Sequence, residues 1–264
     1  MTSIVICGIR GRMGEALAHL ARVRSDLRVI GGIAREAENG TADDRAGGGR
    51  IVTMVDAATL ASEADVVIDF SGAAATADLL ERATDALTGR ALVVGTTGLS
   101  DDTQRRLDRL ARHAAVLTAA NFSIGVNLLV ALSERVSAVL DAARYDVEIV
   151  EAHHGRKVDA PSGTALALGE AVARGRGQLL REVRRDGRSG ETGERPEGEI
   201  GFHAVRGGGI VGEHIVMFMG ARERIELRHD ALDRSLFAEG ALHAARWLAG
   251  RPPGRYGMHE VLGL

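Results

Sequence analysis

The sequence has one cysteine, few aromatic residues and no long apolar run. Cys7 is the single cysteine among 264 residues, which excludes an intrachain disulfide and favours a reducing compartment. No run approaches the roughly 18 apolar residues of a membrane span, and no basic segment precedes the first apolar run. We therefore expect a cytoplasmic protein without a membrane partner. Aromatic residues make up 3% of the chain, so aliphatic side chains must form its core.

The sequence also lacks a strong charge of either sign and is almost without lysine. A net charge of -3 and a pI near 6.3 argue against a nucleic-acid partner. Lys157 is the only lysine among 33 basic side chains. An ammonium group can lose a proton, whereas a guanidinium stays charged, so Lys157 is a candidate for chemistry. His153, His154 and Asp159 surround it; the alternative is an exposed polar loop with no special role.

A glycine-rich turn follows the first apolar run of the chain. Residues 4–7 are typical of a strand, Gly8, Gly11 and Gly14 follow, and a helical sequence begins at Glu15. Glycines allow the backbone to approach a pyrophosphate, and the helix start offers N–H groups and a positive dipole end. The middle glycine of the usual fingerprint is missing, so the spacing alone is a weak signal.

A second predicted strand, at 27–33, ends where a ribose-binding residue is expected. Arg35 would suit the 2′-phosphate of NADPH, and Glu36 would suit the 2′-hydroxyl of NADH. Because the two residues are adjacent, the sequence favours NADPH only slightly, and both side chains could be solvated loop charges.

Three more apolar runs, at 65–71, 91–98 and 115–123, alternate with helical patterns. This alternation predicts a parallel sheet with helices on both faces, and ligands of such sheets bind beyond the carboxyl ends of the strands. Small residues end each run, which suits a cofactor at that edge. The alternative is that these residues only form turns between strands and helices.

The second half has a different pattern. Residues 145–151 alternate between polar and apolar side chains, which predicts a strand that ends near His153. Ser162 is placed to cap a helix over 163–174, and the start of that helix could bind a carboxylate. Adjacent residues of a strand point to opposite faces, so His153 and His154 with no third ligand argue against a metal site.

Further along, a charged, glycine-rich stretch at 181–199 is predicted as a long loop, either a lid or a surface excursion. Runs at 199–206, 210–219 and 224–229 are predicted as antiparallel strands that join the strand at 145–151. An amphipathic helix from Ser235 and an apolar tail, predicted to pack on the first domain, complete the chain. The expected fold is α/β: an N-terminal Rossmann-type parallel sheet (1–122 with 235–264) and a second α+β domain on an open mixed sheet (123–234).

Several motifs of this chain closely resemble those of the 4-hydroxy-tetrahydrodipicolinate reductase family. The most specific is His-His at 153–154 followed by Lys-Val-Asp-Ala-Pro-Ser-Gly-Thr at 157–164. The resemblance also covers residues 8–14, 67–71, 94–98, 120–127 and 206–214. In the family, an acid followed by an arginine often comes after the second strand, and here the order is reversed.

The resemblance implies NADPH- or NADH-dependent reduction of a small cyclic dicarboxylate in lysine and diaminopimelate biosynthesis, by a homotetramer assembled through the second-domain sheet. It implies that His153 and Lys157 are catalytic, that His154, Gly163 and Thr164 bind substrate, and that Arg35 or Glu36 faces the adenosine ribose. The cofactor's other implied contacts are Gly8, Ile9, Arg10, Gly11, Arg12 and Met13 for the pyrophosphate, and Gly95, Thr96, Thr97, Ala119, Ala120, Asn121 and Phe122 for the nicotinamide half. The alternative is another small-molecule NAD(P)-dependent enzyme, such as an aspartate or homoserine dehydrogenase.

Overall fold

The computed structural model describes residues 1–35, 43 and 48–264. Its contacts divide the chain into two units, one formed by Met1–Ile124 with Ser235–Leu264 and the other by Gly125–Arg234. Glu36, one of the two predicted ribose-binding residues, lies outside the described residues. Within the described ranges, no helix has both the length and the apolar character needed to span a membrane.

The first unit contains a seven-stranded sheet in the order β12-β6-β5-β4-β1-β2-β3. Every neighbouring pair in it is parallel, as the sequence predicts for a Rossmann-type sheet. Its strands are β1 Thr2–Cys7, β2 Leu27–Ile33, β3 Arg50–Val52, β4 Val66–Asp69, β5 Ala91–Val94, β6 Ala115–Thr118 and β12 Gly254–Tyr256. The short strand β12 brings the C-terminal tail onto this sheet, which confirms the predicted packing of the tail.

Helices pack on both faces of this sheet. They are α1 Arg12–Arg22, α2 Ala57–Ser62, α3 Ala73–Leu87, α4 Asp101–Leu110, α8 Ser235–Leu248 and α9 Met258–Leu262. Alternate residues of β1 enter different cores: Ile4 and Ile6 pack with α1 and α8, whereas Val5 and Cys7 pack with α2, α3 and α4. Burial on both faces explains why the strands are continuous apolar runs instead of alternating ones.

The parallel strands of the first unit end together at one edge of the sheet. The last residues of β1, β4 and β5 are in register, because Cys7 pairs with Asp69 and Asp69 pairs with Val94. Thr118, at the end of β6, continues the same row. The glycine turn and the segments that follow β4, β5 and β6 therefore lie along a single edge, where the sequence places the cofactor.

The second unit contains a five-stranded mixed sheet in the order β11-β10-β7-β9-β8. Its elements are α5 Ile124–Val139, β7 Asp146–His153, α6 Gly163–Gly175, α7 Leu180–Val183, β8 Arg184–Asp186, β9 Ile200–Arg206, β10 Gly212–Met219 and β11 Arg224–Ala231. Strand β10 is antiparallel to β7 and β11, as predicted. The antiparallel prediction is wrong for β9, which runs parallel to β7 and β8. Helices α6 and α7 connect β7 to β8, and a helical crossover returns the chain in the same direction; the stretch 187–199 then leads to β9, which is parallel to both strands.

The segment predicted as a loop from 181 to 199 is partly regular. It contains most of α7 and all of β8, and the remainder is held by two arginines that reach β7. Arg188 donates to the carboxylate of Glu148, and Arg195 donates to the carbonyl oxygen of Val147 over 3.0 Å. The charged composition that predicted a loop therefore comes in part from side chains that fasten it to the sheet.

Candidate active site

The turn between β1 and α1 has the close backbone packing that a pyrophosphate site needs. Gly8 has a φ of +82°, which favours glycine, and a Cβ added there would lie 2.8 Å from the Cα of Ser71. A Cβ on Gly14 would lie 2.2 Å from the carbonyl oxygen of Gly8, so α1 is packed directly against the turn. Gly11 precedes the first residue of α1 and donates its N–H to Gly8. The turn thus fits a dinucleotide phosphate at a helix start.

A cavity of about 870 Å³ opens at this turn, within the first unit. Four of the predicted cofactor residues line it: Gly8, Arg10, Gly11 and Arg35. The other lining residues are Cys7, Ile33, Ala34, Met54, Phe70, Ser71, Gly72, Ala73, Ala74, Ala75 and Asp78. Its volume is that of a site for a large cofactor fragment, and its two arginines suit a phosphorylated ligand.

Three other residues of the predicted turn do not line this cavity. Ile9 is fully buried and fills the core beside Gly32, where a Cβ would meet its side chain at 2.5 Å. Met13 packs against the core cluster that contains α1 and α8, and Arg12 is exposed at the first position of α1. The role of these three residues in cofactor binding stays a prediction. Because the side chain of Ile9 is buried in the core, this residue could contact the cofactor only through its main chain.

Phe70, which follows β4, connects the ends of several strands. Its ring pairs with that of Phe122 at a centroid distance of 5.3 Å, and a Cβ on Gly95 would lie 2.1 Å from the same ring. The structure therefore brings the predicted segments 95–97 and 119–122 together through a residue that was not predicted as part of the site. The hydroxyl of Thr96 is buried and has no partner in the described part of the chain, and Asn121 accepts the N–H of Ser123 at 2.8 Å.

His153, in the second unit, is the last residue of β7 and is held by a buried carboxylate. Its Nδ1 lies 2.6 Å from Oε2 of Glu151, whose relative exposure is 1%. Glu151 and His153 are two residues apart on one strand, so they point to the same face of the sheet. When Nδ1 donates its proton to the carboxylate, Nε2 is the ring nitrogen that remains for proton transfer.

Arg206 on β9 completes a buried ion pair with Glu151. The sheet register places Arg206 directly beside His153. Its Nη2 and Nη1 lie 2.7 and 2.8 Å from Oε1 and Oε2 of Glu151, a bidentate contact. Burial raises the pKa of Glu151, but hydrogen bonds from Arg206, His153 and the N–H of Ser162 outweigh it and hold the pKa below its ordinary value. Glu151 is therefore ionised at neutral pH.

Lys157 lies in the loop between β7 and α6. Its Nζ is 2.9 Å from Oδ1 of Asp159, and its main-chain N–H donates to the carbonyl of His154 over 3.1 Å. The carbonyl oxygen of Asp159 accepts Nη2 of Arg206 at 2.7 Å, so the lysine loop is attached to the same buried ion pair that holds His153. A hydrogen bond from Lys157 holds the pKa of Asp159 below its usual range.

The predicted substrate-binding residues occupy the ends of this loop. Ser162 caps α6 as predicted: its hydroxyl accepts the N–H of Ala165 at 3.2 Å. Gly163, which is exposed, and Thr164 are the first two residues of the helix. At the other end of the loop, Nε2 of His154 lies 3.2 Å from Nη2 of Arg234. Burial, and then the nearby charge of Arg156, lower the pKa of His154.

A third histidine, His214 on β10, lies across the strand pair from Glu151. Its ring stands edge to face with that of His153 at 5.2 Å, and its Nε2 is 3.1 Å from the hydroxyl of Ser162. Burial, and then the positive charge that His153 can carry, lower the pKa of His214 to about 4. His214 is therefore neutral at physiological pH.

Four residues of this cluster were not predicted as site residues: Glu151, Asp159, Arg206 and His214. For Glu151 a signal exists in the sequence, because its position continues the apolar series of Val147 and Ile149. A charged residue in the buried register of a strand requires a partner in the core. The sequence does not identify that partner, since Arg206 is 55 residues away.

Comparisons with known proteins identify the family of this chain. Residues 2–122 match the family model described as dihydrodipicolinate reductase, N-terminus, and residues 125–262 match the model of its C-terminus. The chain is 47% identical over 260 residues to a 4-hydroxy-tetrahydrodipicolinate reductase from Caulobacter vibrioides, covering 98% of this chain and 96% of that protein. It is 50% identical over 267 residues to the enzyme of the same name from Dinoroseobacter shibae, covering 99% and 98%.

A solved structure shares the fold. It is the dipicolinate-bound dihydrodipicolinate reductase from Paenisporosarcina sp. TG-14, with a TM-score of 0.73 and 23% identity over 97% of both chains. The family matches favour the reductase over an aspartate or homoserine dehydrogenase. The chain belongs to the dihydrodipicolinate reductase family, and its relatives are 4-hydroxy-tetrahydrodipicolinate reductases, NADH- or NADPH-dependent oxidoreductases of lysine and diaminopimelate biosynthesis.

Proposed function

We propose that this chain reduces 4-hydroxy-tetrahydrodipicolinate to tetrahydrodipicolinate, with His153 as the proton donor and Lys157 as the second catalytic cation. The observation that carries the role of His153 is the contact of its Nδ1 with the buried carboxylate of Glu151. It fixes the orientation of the ring and leaves Nε2 as the nitrogen available for proton transfer. A positioned imidazole typically contributes about 10²–10⁴-fold to the rate of a proton transfer.

The first unit would hold NADH or NADPH. Gly8 and Gly11 would hold the pyrophosphate, Arg35, which lines the same cavity, would suit the 2′-phosphate of NADPH, and residues 95–97 and 119–122 would line the nicotinamide half. When bound, the cofactor supplies the hydride, and the reaction consumes one proton and releases one water. This chain's residues supply orientation and the proton.

The second unit would bind the dicarboxylate. The main chain at Gly163 and Thr164, at the positive end of the α6 dipole, would bind one carboxylate. His154 would contact the substrate from the other end of the loop. Lys157 would either hold a carboxylate or assist the departure of the hydroxyl group. His153 would protonate the ring carbon next to the one that receives hydride.

We further propose that the first unit is the dinucleotide-binding domain and that the second binds substrate and assembles a homotetramer in the cytoplasm. The support for assembly is the sheet face opposite α6. On β10, Ile215, Met217 and Met219 are only half-buried in the single chain, and on β9 Val205, which lies on the same face, is exposed. An exposed apolar sheet face favours self-association. Light scattering coupled to gel filtration would give the mass: a tetramer supports the proposal and a monomer contradicts it.

The catalytic roles are tested by turnover. With the substrate generated in place, we expect His153→Ala to lower kcat at least about tenfold. Cofactor affinity, measured by fluorescence titration, should be nearly unchanged, because the cofactor residues lie in the other unit. Normal turnover of the variant would contradict the role of His153.

Lys157→Arg is the sharper test of the lysine. It preserves the positive charge but replaces a compact ammonium by a planar group that does not give up its proton. We expect Lys157→Arg to remain well below the wild-type rate. Full activity would show that position 157 needs only a charge. In the same assay, the ratio of kcat/KM for NADPH and NADH establishes the cofactor preference.

A further inference from the structure

Resting on the role proposed for His153, we infer that the buried Glu151–Arg206 ion pair is the positioning centre of the active site. It fixes the proton-donating nitrogen of His153, the lysine loop and the start of α6 together. Neither residue needs to touch the substrate. Both would act through the groups that they hold.

The two oxygens of Glu151 receive four donors from three parts of the second unit. Oε2 accepts Nδ1 of His153 at 2.6 Å and Nη1 of Arg206 at 2.8 Å. Oε1 accepts the main-chain N–H of Ser162 at 3.0 Å and Nη2 of Arg206 at 2.7 Å. A carboxylate offers about four lone-pair sites, so this one is fully used. Its geometry leaves Glu151 no other acceptor role.

The contact with Oε2 sets the tautomer of His153. A carboxylate has no proton to give, so Nδ1 of His153 must be the donor, and Nε2 becomes the reactive nitrogen. Space is available at Nε2, since the neighbouring residue Gly212 lacks a side chain and a Cβ there would lie 3.1 Å away.

Arg206 extends the same contact to the lysine loop. Besides the two bonds that Arg206 makes to Glu151, its Nη2 donates to the carbonyl of Asp159, whose carboxylate pairs with Lys157. At Oε1 the N–H of Ser162 fixes the residue that caps α6, next to Gly163 and Thr164. One ion pair thus holds every element to which a substrate role is assigned in this unit.

Glu151→Gln is the most informative variant, because the single oxygen of its side-chain amide cannot accept the hydrogen bonds of both Oε1 and Oε2. Keeping the oxygen at Oε1 preserves the bonds to Ser162 and to Nη2 of Arg206, and places the amide NH₂ against Nδ1 of His153 and Nη1 of Arg206. The amide then donates to Nδ1, and the proton of the neutral ring moves to Nε2. Protonating the ring would set two N–H groups against each other. A related exchange of an orienting carboxylate in a serine protease costs about 10⁴ in kcat through the wrong tautomer.

We therefore expect Glu151→Gln to lower kcat at least about tenfold, with the KM for the cofactor changed less than about twofold. The second readout needs no turnover. Two-dimensional ¹⁵N NMR of histidine-labelled protein, assigned with His153→Gln, should show the Nδ1–H tautomer for His153 in the wild type and the Nε2–H tautomer in the variant.

The matched control is Glu148→Gln, the same change at the other buried glutamate of β7, which also accepts from arginines and a histidine. It should keep kcat within about twofold and leave the tautomer of His153 unchanged. The inference fails if Glu151→Gln retains wild-type kcat, or if the tautomer does not move. If the wild type itself does not turn over the substrate, the proposed function fails, while the tautomer measurement still tests the positioning role.

Discussion

Strand β7 carries two buried glutamates, Glu148 and Glu151, which point to opposite faces of the same sheet. Their relative exposures are 7% and 1%. Each accepts hydrogen bonds from arginine and from histidine, and each has a pKa below its ordinary value because those bonds outweigh the effect of burial. By residue type, burial and electrostatics, the two carboxylates are nearly equivalent. Their partners are different.

Glu148 holds a segment of chain. Arg188 contacts it through both terminal nitrogens, at 3.0 and 2.9 Å, and Arg195 through Nε at 3.0 Å. Both arginines belong to the stretch between β8 and β9, and His203 on β9 adds a contact of 2.7 Å. Arg195 also bonds the main chain at Val147 and Glu199. This cluster fastens the stretch from 187 to 199 to the sheet.

Glu151 instead holds side chains and loop residues to which the family resemblance assigns chemistry. A buried ion pair with a displaced pKa therefore does not by itself identify a functional site. The groups that the ion pair holds in place identify the functional site. The difference between these two clusters can be tested in three ways, ordered here by the expected effect on the free energy of unfolding.

The largest effect should come from removing each carboxylate, and it should be similar at both sites. Glu148→Ala and Glu151→Ala each leave arginines without a buried partner, which typically costs about 3–5 kcal/mol. Urea unfolding followed by circular dichroism measures the loss. Arg82→Ala, which removes the exposed pair with Asp78, is the control and should cost less than about 1 kcal/mol. A loss below 1 kcal/mol at either glutamate would show that its ion pair does not stabilise the fold.

A smaller effect, confined to one cluster, should appear with pH. The pKa of His214 falls from 6.5 to about 4 in the folded chain, where it faces Glu151, His153, His229 and the charge of Lys157. Between these values the unfolded chain binds the additional proton, so stability is complete above pH 6.5 and is lost as the pH falls towards 4. The expected loss is about 3 kcal/mol. His214→Gln should remove this part of the acid dependence, while His19→Gln, at an exposed position of α1, should retain it.

Acid should then weaken both glutamate clusters. The lowered pKa values of Glu148 and Glu151 contribute stability above the ordinary value of 4.5, and this contribution is lost as the pH falls below it. The order of events separates the two kinds of group, because His214 responds first. If His214→Gln unfolds with the same pH dependence as the wild type above pH 4.5, then the pKa of His214 is not lowered in the folded state.

Much of the fold could be predicted because its signals are local. The glycine turn after β1, the apolar runs of β4, β5 and β6, and the cap of α6 at Ser162 each depend on a few consecutive residues. Strand β8 was missed since its three residues, Arg184, Arg185 and Asp186, are all exposed and show no alternation. The predicted direction of β9 was wrong because the direction of this strand depends on the connection through α6 and α7, not on the residues of the strand.

Only the part of the candidate site that is contiguous in the sequence could be predicted. His153, Lys157 and the start of α6 lie within twelve residues, and that spacing is visible in the sequence. The contacts that hold them depend on sheet register: Arg206 lies beside His153, and His214 lies beside Glu151. Register between strands that are more than 50 residues apart requires the order of the sheet, which no local pattern contains.

The last test uses a glycine beside each cluster. A Cβ on Gly201, which pairs with Glu148 across the sheet, would lie 1.8 Å from Oε2 of that glutamate. A Cβ on Gly212 would lie 3.1 Å from Nε2 of His153. Neither glycine has a positive φ, so alanine tests space without backbone strain. The two substitutions therefore add the same methyl group to two clusters that differ in how much space they have for it.

Gly201→Ala should displace the carboxylate of Glu148 from its arginines and cost about 1–3 kcal/mol of stability, with kcat per folded molecule close to wild type. Gly212→Ala should cost less than about 1 kcal/mol, because the neighbour needs to move only a few tenths of an ångström, yet it should lower kcat/KM about tenfold by filling the space where Nε2 meets its substrate. Urea unfolding and steady-state turnover on the same preparations measure both quantities. A stable Gly201→Ala or a fully active Gly212→Ala would remove the distinction, since it depends on Glu148 needing its exact position for folding and His153 needing open space for chemistry.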